Sequence, residues 1–140
     1  HSSFDLLLGE ATPEEAALPT GSPRLLVVPA TSDLASADMQ LADRQGRAFL
    51  LREALRQPGM APLALDYVLI DCPPSLGVLT LNALVAAHSV LVPLQSEFFA
   101  LEGLSQLMLT VREVRQTLNP SLRIEGVALT MVDRRTSLAQ

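Results

Sequence analysis

Four short apolar runs, Arg24–Pro29, Tyr67–Ile70, His88–Leu94 and Arg123–Met131, are spaced along this chain by stretches long enough to hold helices. Short runs rich in Val, Leu and Ile suit strands buried on both faces. Strands separated by helices pair in parallel through right-handed crossovers, because no tight turn can join parallel neighbours. The pattern therefore predicts an α/β fold, a doubly wound parallel sheet with helices on both faces.

The intervening text supports this spacing. Ser2 or Ser3 is placed to cap the apolar turn FDLLL, which Gly9 closes, and Thr12-Pro13-Glu14-Glu15 opens a second helix kept short by Pro19. Gly21-Ser22-Pro23 reads as a turn into the first strand. Ser32 to about Gln57 is helical in pattern, with Gly46 as a break and Pro58-Gly59 and Pro62 as a stop. Gly77 to Ala87 and Phe98 to Leu118 are the later helices, the second ended by Asn119-Pro120. On it Leu101, Leu104, Leu107, Met108 and Val111 form the expected core stripe, leaving Glu102, Arg112 and Arg115 wet.

Composition narrows the function. A chain of 140 residues fits one domain, and 49% hydrophobic against 18% charged residues is too apolar for disorder. The longest uncharged run is interrupted by Gly77, Thr80, Asn82, His88 and Pro93, so no membrane span is expected. HSSFDLLLGE lacks the features of a secretory signal, which makes the cytoplasm the expected location. Cys72 is the single cysteine, which rules out an internal disulfide or a multi-thiolate metal site within one chain. A net charge of −5 argues against a wholly basic nucleic-acid binder, although a local basic patch such as Arg134-Arg135 stays open between phosphate contact and simple solvation. All ten basic residues are arginine, so the chain holds no phosphate-loop lysine.

In open parallel sheets ligands sit beyond the carboxyl ends of the strands. Three places qualify: Asp71 to Ser75, Pro93 to Glu97, and Thr130 to Thr136. The run DYVLIDCPPS is the most informative. A hydrophobic strand that delivers one Asp at its tip is the Walker B arrangement, in which the carboxylate holds magnesium, usually through water. The plainer alternative is an Asp that caps the next turn. Pro73 and Pro74 favour the first reading, because they stiffen the loop beyond the carboxylate, as a nucleotide-sensing switch requires. Cys72 lacks a nearby base for nucleophilic chemistry, and His88 reads as a polar residue at a strand start.

DYVLIDCPPSLGVLTLNAL resembles the Walker B and switch II segment of the ParA/Soj group of partitioning ATPases. VLVPLQSEFFALEGLSQL resembles the strand and helix that follow there, and RIEGVALTMVDRRTSLAQ the next strand and loop. The resemblance runs over the whole chain. It implies a P-loop NTPase-like fold of the SIMIBI class, ATP and magnesium as ligands of the parent protein, and an ATP-driven homodimer. It also implies nonspecific, nucleoid-associated DNA binding and stimulation by a ParB-type centromere-binding partner. Asp71 matches the Walker B aspartate and the magnesium site. Pro73, Pro74 and Ser75 match switch II, while Thr130, Met131 and Asp133 fall in the loop that approaches the nucleotide base. Gln95 to Gly103 is expected to shape the dimer-facing side.

The family's KGGVGKTT phosphate loop and DPQ-containing switch I would precede His1, and its last helices would follow Gln140. The resemblance thus implies a partial domain over residues 1–140, with ATP not bound by this stretch alone. Two other readings stay open: a non-catalytic association module, and a related ATPase that positions cell-division or polysaccharide-synthesis machinery. From the apolar runs alone, each followed by polar residues and separated by helices, Tyr67–Ile70, His88–Leu94 and Arg123–Met131 are expected to be parallel strands of one sheet, with Asp71, Gln95 and Asp133 at the same edge.

Overall fold

Ser2 starts the first helix by accepting the amide of Asp5 on its hydroxyl, at 3.3 Å, while the Asp5 carboxylate accepts the Ser2 amide at 2.7 Å. This reciprocal cap fixes α1 (Ser3–Leu8), and Gly9 closes it at φ 79, a left-handed conformation that costs glycine little. Thr12 and Glu15 repeat the device at α2 (Pro13–Ala16). The computed structural model describes residues 1–95 and 100–132 and divides into two units, His1–Ala86 and Ala87–Gln140.

In the first unit the predicted buried strand Arg24–Pro29 takes a different form. Only Leu26–Val27 (β2) is in a ladder, antiparallel to Leu18–Pro19 (β1), and Leu25, Val27 and Val28 are exposed. The Gly21-Ser22-Pro23 turn explains this. Thr20 bonds both Ser22 and Leu25 through its hydroxyl, and Arg24 adopts φ 64, so the chain doubles back on its own preceding residues. The expected helix from Ser32 to Gln57 is likewise broken. A 3-10 turn at Ser32–Ser36 leads into α3 (Ala37–Gln40), Gly46 turns left-handed at φ 70 as its position suggested, and α4 covers Leu50–Leu55. A further 3-10 turn spans Pro58–Leu63.

Tyr67–Ile70 is the clearest departure. It lies in no ladder, and Tyr67 and Leu69 are 86% and 93% exposed. Extended backbone becomes a strand only when a neighbour satisfies its amides and carbonyls, and among the described residues none pairs with this segment. The unit's core is instead helical. Phe4, Leu7, Ala37, Leu41 and Leu50 form one buried cluster, with Leu34, Leu51, Val78 and Leu79 packed around it, the last two from α5 (Val78–Ala86).

The second unit contains the parallel pairing that the sequence predicts. β3 (Ser89–Gln95) pairs in parallel with β4 (Arg123–Thr130), from Ser89 opposite Arg123 to Gln95 opposite Thr130, with one irregularity between Val90 and Leu91. α6 (Ala100–Thr117) connects them, as a parallel pair requires. Val92, Val111, Val114 and Leu122 are buried. The expected stripe on α6 is therefore displaced toward its C-terminal half, since Val111 is 2% exposed and Leu101 57%. The Asn119 amide donates to the Ala87 carbonyl at 2.9 Å and fastens the turn after α6 to the residue ahead of β3.

Candidate functional site

Asp71 ends the apolar segment Tyr67–Ile70 and leads into Cys72, Pro73, Pro74 and Ser75, all exposed. Neither proline can donate a backbone hydrogen bond, so the loop resists incorporation into helix or sheet. The Cys72 sulfur lies 3.7 Å from the Ile70 carbonyl. Desolvation of that sulfur, aided by the Asp71 charge, pushes the thiol pKa up, which opposes thiolate chemistry even though Cys72 as a residue is exposed.

The far end of the loop is held by two side chains. Thr80 donates through its hydroxyl to the Ser75 carbonyl at 2.6 Å. Asp38, on α3, accepts the Val78 amide at 2.8 Å. Gly77 stands between them, and its carbonyl accepts the Leu81 amide at 3.0 Å, which makes it the residue that opens α5. A β-carbon on Gly77 would sit 2.8 and 2.9 Å from the two Asp38 carboxylate oxygens. A side chain at this position would push the Asp38 carboxylate aside.

Behind this junction Asn82 is 1% exposed, and all of its polar capacity is directed at backbone. Its oxygen accepts the Leu51 amide at 3.1 Å, and its nitrogen donates to the Arg47 carbonyl at 2.7 Å and the Val78 carbonyl at 2.9 Å. Sequence reading missed Asp38, Gly77 and Asn82 as parts of the site. A lone amide within the apolar text LTLNALVAA was a legible signal for Asn82, whereas Asp38 acts across 40 positions and carries none.

In the second unit Gln95 and Thr130 lie opposite each other at the C-terminal ends of the parallel strands. The next residue, Met131, is 79% exposed at φ 52, and its sulfur accepts the Gln95 side-chain amide at 3.3 Å. Thr130 and Met131 thus gather with Gln95 at one strand edge. Asp133, Arg134 and Arg135 lie outside the described residues. His88 is exposed, and its carbonyl accepts the Arg123 amide at 3.2 Å to open the ladder, a structural place at a strand start. Among the described residues no three His, Cys, Asp or Glu side chains gather to hold a metal, and no helix is long and apolar enough to cross a membrane.

Comparison with known proteins adds a lineage to this geometry. A protein family described as an AAA domain matches residues 1–124. The chain is 53% identical over 137 residues to the chromosome partitioning protein ParA of Caulobacter vibrioides, covering 98% of this chain and 51% of that protein. It is 47% identical over 135 residues to the sporulation initiation inhibitor protein Soj of Bacillus subtilis, covering 96% and 52%. It thus spans about half the length of the curated relatives that it matches. Among solved structures, a Mycobacterium smegmatis protein described as cobyrinic acid a,c-diamide synthase with bound ADP and magnesium matches with a TM-score of 0.88 and 42% identity, over 99% of this chain and 55% of that one. A plasmid partition protein from Borrelia burgdorferi, at 23% identity, a TM-score of 0.79 and 99% and 55% coverage, shares the fold.

Proposed function

Because the chain belongs to the ParA/Soj family of partitioning ATPases, with its α/β P-loop NTPase-type fold, we propose that it is the Walker B and switch II portion of an ATPase that segregates chromosomal or plasmid DNA. The observation that carries the reading is the exposed Asp71 at the tip of an apolar segment, followed at once by the stiff Pro73-Pro74 loop, in a chain half identical to a chromosome partitioning protein.

Asp71 is the metal-side carboxylate. Magnesium keeps most of its waters and takes few protein ligands beside substrate phosphates, so a single exposed carboxylate fits it without a three-residue cluster. When bound, the ion neutralises charge on the phosphates of ATP. Asp71 would hold that ion, and Pro73 to Ser75 would move as a unit in response to the γ-phosphate. Thr130, Met131 and Asp133, which the family resemblance matches to the loop near the base, would serve nucleotide recognition in the parent protein. ATP binding brings two copies together, the dimer binds DNA without sequence preference, and a ParB-type partner speeds hydrolysis. The protein works in the cytoplasm, on the nucleoid. Relatives described as partitioning proteins and a related structure holding ADP and magnesium support this reading.

The test is ATP hydrolysis by the full-length protein, with and without DNA and the partner. Asp71→Ala is expected to lower turnover at least about a hundredfold, as loss of a residue that aligns a metal-bound phosphate does. A full-length protein that hydrolyses no ATP, or an Asp71→Ala variant with undiminished turnover, would defeat the reading. The absence of lysine suits a non-catalytic association module for this stretch by itself, and an inactive full-length protein that still dimerises would favour that alternative.

A further inference from the structure

We propose that Asp38 is a positioning residue for the Asp71 loop: it pins the loop's far end by capping α5 at Val78, so that loop motion pivots at Gly77. The proposal rests on reading that loop as the nucleotide-sensing segment. The residue that opens α5 has no side chain, so it cannot cap its own helix in the usual way. The missing acceptor comes from α3 instead, through the 2.8 Å contact between the Asp38 carboxylate and the Val78 amide. A carboxylate at the start of a helix gains from both a charge-assisted hydrogen bond and the aligned peptide dipoles.

Asp38 is also held firmly from behind. Its neighbour Ala37 and the following Leu41 are both 0% exposed in the core cluster, so the backbone that carries the carboxylate is tied to the centre of the unit. The two partners fit each other closely enough that a β-carbon at Gly77 would overlap both carboxylate oxygens. Between Asp71 and this anchor lies a loop stiffened by two prolines, with the Thr80 hydroxyl holding Ser75 near its end. A stiff segment with one fixed end transmits a push on its free end as rotation about that fixed end. Without the anchor, the same push would be dissipated by fraying of the first turn of α5.

The experiment uses the full-length protein as wild type, Asp38→Ala, Asp38→Asn, Gly77→Ala and the Asp38→Ala/Gly77→Ala double variant. Hydrogen exchange at the Val78 amide reports the contact directly, and steady-state ATP hydrolysis reports its consequence. Asp38→Ala should speed Val78 exchange about tenfold, as expected for loss of a charge-assisted bond. It should lower kcat by a similar factor while KM for ATP changes less than about twofold, since the residue touches no phosphate. Asp38→Asn keeps an oxygen acceptor and should restore most of both readouts. Gly77→Ala should be harmful in the wild-type background and nearly silent beside Asp38→Ala, because the carboxylate that it displaces is then gone.

Unchanged Val78 exchange in Asp38→Ala, or additive effects of the two substitutions, would overturn the anchor. Faster exchange with unaltered kinetics would overturn its positioning role and leave a cap only. A wild-type protein without ATP hydrolysis would instead sink the ATPase reading and the positioning role with it, while the exchange data still decide whether the anchor exists.

Discussion

Asn82 is 1% exposed inside α5, yet its amide makes one accepted and two donated hydrogen bonds to backbone in three places, Leu51, Arg47 and Val78. The Leu51 amide lies in the first turn of α4, where no helical hydrogen bond supplies a partner, and the Arg47 carbonyl stands just ahead of it beside the turn at Gly46. Asn82→Ala should therefore destabilise the protein by about 2–3 kcal/mol, read as a lowered urea midpoint, because buried donors and acceptors are left unpaired. Asn82→Asp is expected to be no better, since it keeps the acceptor but sets a carboxylate oxygen against two carbonyls. A midpoint unchanged in Asn82→Ala would mean that water or local rearrangement replaces the amide. The sequence displays this residue as a lone polar group in apolar text, but its partners are invisible there because they depend on how the chain turns at Gly46. The role proposed for Asp71 rests on the opposite kind of signal, its immediate neighbours: the apolar run before it and the prolines after it.

Elements whose ends are set by local chemistry were equally legible. Ser2 and Gly9 bound α1, Thr12 opens α2, and the parallel pairing of β3 with β4 follows from two apolar runs joined by a helix. Elements that depend on neighbours were not. Arg24–Pro29 follows its turn into a hairpin, and Tyr67–Ile70 has the composition of a strand without a described partner to make it one. The cap of α2 gives a test of local control. The Thr12 amide, and then its hydroxyl, hold the Glu15 carboxyl below its usual pKa. A group whose pKa is lowered by folding stabilises the protein above its unfolded value and loses that contribution as pH falls through the folded value. Glu15→Gln should accordingly reduce stability at neutral pH, and the gap from wild type should close on acidification below the ordinary carboxylate range. Thr12→Ala, which removes the other half of the box, should cost about 1 kcal/mol in urea unfolding at neutral pH. A Glu15→Gln deficit that stays constant into acid would show that the carboxylate's charge is not what the cap uses.

At the scale of the molecule, exposed apolar text and missing lysine lead to two expectations for the 140-residue chain studied by itself. Tyr67, Val68 and Leu69 are exposed apolar residues in a segment that no strand pairs with among the described residues, a ready template for association with another chain. Light scattering at rising concentration should show self-association, and Leu69→Lys should reduce it; a strictly monomeric chain would contradict this. The second expectation concerns nucleotide. Phosphate binding in P-loop proteins uses successive backbone amides at a helix start together with a lysine, and these 140 residues contain no lysine. Asp71 cannot replace that cradle, since a carboxylate attracts magnesium but repels phosphate, and magnesium relies on substrate oxygens to complete its shell. The chain alone should therefore bind MgATP more weakly than about 10 μM, on the order of −7 kcal/mol, and show no turnover. Calorimetric titration beside a phosphate-release assay measures both. Tighter binding that Asp71→Ala abolishes would mean that arginine side chains or loop amides within these residues build a phosphate site of their own, and the division of labour proposed here would have to be redrawn around them.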